Sequence, residues 1–170
     1  MSLNKVYLSN RKILLQDNED ILLFASDVSL QWSGQFHGPF HGTKNGFLYL
    51  TNERLIFINK AQKDLMLTFS FPYESLEEVE LSQPGLGPNY LKGRVVAEPE
   101  GNWTGAANFK LIFKNGGALE FAKCMLQCSK TPVSASAASN EDLYEAPSFS
   151  LPLEVPLDYN LNDIQSSLSL

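Results

Sequence analysis

The stretch Gly46-Phe-Leu-Tyr-Leu-Thr-Asn-Glu-Arg-Leu-Ile-Phe-Ile58 reads as two short strands around one polar turn. After Gly46, leucine, β-branched and aromatic residues fill positions 47–50 and 55–58, and Thr51-Asn52-Glu53-Arg54 supplies the turn chemistry, with strands placed near 44–51 and 54–59. Side chains alternate along a strand, so Phe47 and Tyr49 share one face and Leu48 and Leu50 the other; Leu55 and Phe57 likewise oppose Ile56 and Ile58. Both faces are apolar. A hairpin of this kind belongs inside a closed or covered sheet, which points to a small β-barrel and a binding role.

Working outward, Ile21–Phe24 and Val28–Trp32 read as strand interrupted by Ala-Ser-Asp, followed by a Gly/His/Pro loop. Met66–Pro72, Leu76–Ser82, Asn89–Ala97 and Phe109–Phe113 complete about seven strands. In Asn89–Ala97, Leu91 and Val95 face one side, and Lys92, Arg94 and Val96 the other. The period then changes: Ala118, Phe121, Ala122, Met125 and Cys128 form a helical stripe, widened by Leu119 and Leu126, while Glu120 and Lys123 point away. A helix after seven strands predicts a barrel whose open end it plugs. Residues 1–19 carry little periodic signal.

The chain has 170 residues and a net charge of −6. Residues 1–128 hold 13 acids and 12 bases, a balance of −1; residues 129–170 hold six acids against Lys130, a balance of −5. The acidity belongs to the tail and argues against direct nucleic-acid binding. Composition divides the chain into a domain over 1–130 and a Ser/Pro/Leu-containing acidic tail over 131–170, expected to be disordered until bound. No apolar run has signal-peptide or bilayer length, so a soluble intracellular protein is expected.

Chemical signals are sparse. Cys124 and Cys128 lie four apart on the helix; core packing is expected, with metal or redox chemistry the alternative, and no second ligand pair is at hand. His37 and His41 share one loop without a carboxylate. Glu77, Glu78 and Glu80 read as a solvated face. Gly116-Gly117 reads as a tight turn into the helix, with anion binding at the helix start as the alternative. Arg54 is expected to bond Thr51 or Glu53 locally. Trp32 and Trp103 are expected to be one core residue and one loop anchor. No catalytic residues, metal or cofactor are assigned.

The hairpin, the block Gln83-Pro-Gly-Leu-Gly-Pro-Asn-Tyr-Leu-Lys-Gly93, and Asn102-Trp-Thr-Gly with Phe109–Gln127 together resemble the GRAM domain of the WW-domain-binding protein 2 family. The resemblance runs from about residue 10 to 130. It implies a mainly β fold, a pleckstrin-homology-like seven-stranded barrel capped by a C-terminal helix, without catalytic activity. It also implies an adaptor or transcriptional coactivator, cytoplasmic and nuclear, whose tail engages WW domains through Pro-Pro-x-Tyr. Here that motif is absent, and Val155-Pro-Leu-Asp-Tyr159 is the nearest approach. Tyr144, flanked by acids, is a candidate phosphorylation site. Tyr144, Pro152, Pro156 and Tyr159 are the candidate partner-binding residues of the tail. The alternative is a peripheral membrane module holding phosphoinositides or anionic lipids through Lys44, Lys92 and Arg94. A monomer is expected.

Overall fold

A computed structural model of the chain describes residues 2–5, 8–9, 12–34, 37–128 and 133–135. The tail candidates Tyr144, Pro152, Pro156 and Tyr159 lie outside them. In chain order the elements are β1 (Ser2–Leu3), β2 (Leu8–Ser9), β3 (Lys12–Ile13), β4 (Ile21–Ser33), β5 (Lys44–Thr51), β6 (Arg54–Asn59), β7 (Thr68–Pro72), β8 (Leu76–Ser82), β9 (Tyr90–Val96), β10 (Ala106–Phe113), α1 (Ala118–Cys128) and β11 (Val133–Ala135). The seven expected strands are β4 to β10. Two short edge strands were not foreseen: the sheet runs β1-β7-β6-β5-β4-β10-β9-β8-β11.

The hairpin that decides the fold forms as read, with Phe47 opposite Ile58 and Leu48 opposite Phe57. Its two faces feed two separate cores. Leu48, Leu50, Leu55 and Phe57 join the main interior. Phe47, Tyr49, Ile56 and Ile58 form a second cluster with Ile13, Ile21 and Leu67. The outer face is therefore covered by the N-terminal segment, which the sequence left without a role.

β4 does not break at Ala-Ser-Asp. It is continuous over 13 residues and absorbs the irregularity as a register shift against β5 between Ala25 and Val28. Such a bulge bends a strand without ending it. β4 can thus pair with β5 on one side and β10 on the other.

The sheet curls until non-neighbouring strands touch across the interior. The Phe71 ring of β7 lies 5.1 Å from Phe109 of β10 and 5.9 Å from Trp32 of β4. At one end Phe40 and Trp103 close this aromatic cluster, their rings 5.1 Å apart. Trp32 is the buried tryptophan and Trp103 the half-buried loop anchor, as expected.

At the other end α1 buries Ala118, Phe121, Ala122 and Met125, with Phe121 5.1 Å from Phe113. Gly116 and Gly117, at φ 79° and 103°, make the turn into the helix in a region that side chains rarely adopt. Two helix positions differ from the periodic reading. Lys123 is buried and Leu126 is about half exposed. α1 packs on β11 as well as on β8 and β9, so a flank is covered that the apolar stripe does not announce.

Candidate functional site

The three cations read as a lipid site do not converge. Lys44 stands opposite Leu30, which is opposite Leu111, and that row points inward. Lys44 is 4% exposed, and its Nζ donates to Asp64 Oδ1 and Oδ2 at 2.7 and 2.8 Å and to the His41 carbonyl at 2.8 Å. It clamps the loop after β4 to the loop after β6. Its assignment to a headgroup is corrected on that ground: burial and a bidentate carboxylate leave it no open face. His37 and His41 are exposed nearby.

Lys92 and Arg94 point outward on β9, on the opposite face of the sheet. Lys92 Nζ lies 3.3 Å from Glu80 Oε2, and Arg94 Nη1 donates to Glu77 Oε2 at 2.6 Å. Two of the acids read as a solvated face, Glu77 and Glu80, are thus the partners of these cations. Like charges meet as well, since Lys92 is directly opposite Lys110, whose Nζ sits 4.0 Å from the centre of the Tyr90 ring.

Between these side chains runs a groove of about 600 Å³, lined by Gln31, Glu80, Lys92, Asn108 and Lys110, with Trp32 and Phe109 also contributing. Gly93 contributes as well: a Cβ there would sit 3.0 Å from the Phe109 ring and 3.2 Å from the Glu77 carbonyl oxygen. β8 bulges opposite it, with Glu78 at φ 52° and a register shift between Glu77 and Glu80. Trp32 Nε1 is buried and has no hydrogen-bond partner among the described residues. The groove was not read from the sequence, although Asn108 and Lys110 alternate with buried Ala107, Phe109 and Leu111, which is the available signal.

Arg54 has a longer reach than expected. Its backbone N–H does bond Thr51 Oγ1, at 3.0 Å. Its guanidinium instead grips Glu19, with Nε to Oε1 at 2.7 Å and Nη2 to Oε2 at 3.1 Å, and donates to Ser70 Oγ at 3.3 Å. Glu19 also accepts from Thr51 Oγ1 and from the Gln16 N–H, both at 2.8 Å. Burial pushes the Glu19 carboxyl upward, but Arg54 and the other donors outweigh it and hold the group below the usual range. Tyr73 adds its hydroxyl to the Thr51 carbonyl. This is a buried polar knot that pins the segment before β4 to the hairpin turn.

Cys124 and Cys128 are free thiols at the margin of the main core. Burial, with Cys128 adjacent, pushes Cys124 up to about 11, and burial raises Cys128 too. Protonated thiols are poor nucleophiles and poor ligands. Among the described residues no three His, Cys, Asp or Glu gather to hold a metal. The cavity beside the start of α1 is lined by Asp27 and Glu120, which repel an anion there. No helix among them is long and apolar enough to cross a membrane.

A curled seven-stranded antiparallel sheet, plugged at one end by a C-terminal helix, defines the class: a pleckstrin-homology-like barrel. The N-terminal PH domain of Vps36 shares this fold, with a TM-score of 0.52 at 18% identity over 72% of this chain and 89% of that one. The GRAM domain model matches residues 5–130, and the chain belongs to the GRAM domain family. It is 41% identical over 129 residues to human WW domain-binding protein 2, covering 75% of this chain and 49% of that protein. It is 36% identical over 141 residues to the postacrosomal sheath WW domain-binding protein of Macaca fascicularis, covering 81% and 55%. The chain spans about half the length of these curated relatives.

Proposed function

We propose that this chain is a non-enzymatic, monomeric adaptor in which the GRAM barrel is a scaffold and residues 131–170 recruit protein partners, WW-domain proteins among them. What carries the reading is the likeness to two proteins named for binding WW domains. The barrel's electrostatics support it: Lys44, Lys92 and Arg94 are each committed to a carboxylate of the barrel itself, which weakens the case for an anionic-lipid site. In the tail, Pro152, Pro156 and Tyr159 would supply the extended proline-and-tyrosine contact, without Pro-Pro-x-Tyr. Phosphorylation of Tyr144 would add nearly two negative charges and create an arginine-seeking site. The setting we propose is cytoplasmic and nuclear, in signalling or coactivation of transcription.

The test is capture of a panel of purified WW domains by the full chain, by the chain with Tyr144→Phe, and by the chain with Pro156→Ala and Tyr159→Ala. Binding lost only in the double variant supports the proposed contact. Undiminished binding in that variant, or binding of the full chain to vesicles containing phosphoinositide but to no WW domain, overturns it.

A further inference from the structure

The edge of β8 is closed by the chain itself. β11 runs parallel to it, with Val133 opposite Val79, Ser134 opposite Glu80 and Ala135 opposite Leu81. The connection is a crossover: β10 is antiparallel to β9 and β9 to β8, so α1 returns the chain to a strand parallel to β10. α1 packs against β8, β9 and β11, so the seat of β11 is flanked by a helix.

Three features make this cover easy to replace. It is three residues long, and parallel pairing is slightly weaker per residue than antiparallel. Its sequence, Val-Ser-Ala, brings little apolar mass of its own. The bulge in β8 between Glu77 and Glu80 ends the regular ladder on its N-terminal side, which confines the seat to Val79–Leu81. What remains to hold a strand there is main-chain hydrogen bonding, which any extended segment can supply.

We infer that the β8 edge beside α1 is a strand-docking site for an extended, proline-free partner segment of small and β-branched residues, which Val133–Ala135 occupies in cis until displaced. The register gives the partner's pattern: apolar or small positions at the rows of Val79 and Leu81, a polar one at the row of Glu80. Only residues 129–132 join the resident strand to α1, so its effective concentration is high and an incoming peptide competes against it. The inference is independent of whether the tail recruits WW domains.

The test uses the full chain and a fluorescent peptide of residues 133–138, Val-Ser-Ala-Ser-Ala-Ala. Adjacent residues of an edge strand point their N–H groups alternately in and out, so Ser134→Pro with Ala135→Pro must remove one ladder bond. Fluorescence anisotropy should show the peptide binding the double variant at least ~10-fold more tightly than the unsubstituted chain, because the resident no longer competes. Equal affinity for both chains, or binding to neither, overturns the inference. So does concentration-dependent dimerisation of the unsubstituted chain without peptide binding, since the occupant is then a second copy. A measurement without substitution guards against misfolding: those amides of Val79–Leu81 that face β11 should exchange with solvent far sooner than those of Leu91 and Leu111. Matching protection would mean a permanent strand and no docking site.

Discussion

The β5–β6 hairpin and the β8–β9 pair are built from similar parts and behave as different materials. Each is an antiparallel ribbon with one glycine on a strand and cations paired to carboxylates. In the hairpin every position of β6 is buried, and the ion pairs are sealed: Arg54 and Glu19 side chains are 10% and 0% exposed, Lys44 and Asp64 4% and 22%. On β8–β9 one face meets water, and Arg94 and Glu77 are 47% and 48% exposed. The same charges that bind the first region together leave the second adjustable. Depth, more than residue type, decides whether a charge is structural.

The sharpest way to break the comparison is at the glycines. A Cβ on Gly46 would lie 2.1 Å from the Ile58 carbonyl oxygen, a backbone atom that cannot give way without opening the ladder. Gly46→Ala should cost about 4 kcal/mol or more, read by urea unfolding. Gly93→Ala meets the Phe109 ring at 3.0 Å and should cost about 1–3 kcal/mol, with the groove narrowed. Comparable losses at the two sites would contradict the difference in rigidity.

Next come the ion pairs. Glu19→Gln leaves the Arg54 guanidinium charged and buried, and should cost about 3 kcal/mol by the same assay. Acid should act through the same group. The folded carboxyl titrates below its ordinary value near 4.5, so its contribution is intact above that value. It falls away as pH drops through the lower folded value, and Glu19→Gln should flatten that part of the stability profile. Arg94→Ala should cost about 0.2–1 kcal/mol and lose even that in high salt, because the pair is half exposed. A salt-insensitive loss well above that range would show the outer face to be structural after all.

Much of this was legible. Residue types on both faces of the hairpin gave its strands, its two buried surfaces and the covered-sheet conclusion. Alternation on β9 separated Leu91 and Val95 from Lys92 and Arg94. Carried two residues further, the same alternation would put Lys44 on the face of Leu48 and Leu50, yet a lysine at a loop boundary reads as a headgroup ligand, and its partner Asp64 lies 20 residues away. Glu19 was illegible for a related reason. It sits in an aperiodic segment and meets Arg54 across 35 residues, a contact that no local pattern encodes. The bulge in β4 read as a break because one extra residue disturbs the alternation just as a turn does. β1 and β11 are two and three residues long, below the span over which a period of two can show itself.

The two outermost strands carry a practical consequence for handling this protein. The GRAM match runs over 5–130, while the sheet is finished by Ser2–Leu3 on one edge and Val133–Ala135 on the other. A fragment trimmed to the family boundaries would shed both at once. It would bare the main-chain hydrogen-bonding groups of β7 and β8, the surfaces on which sheet proteins stack into aggregates. Poor solubility of such a fragment would then reflect where it was cut.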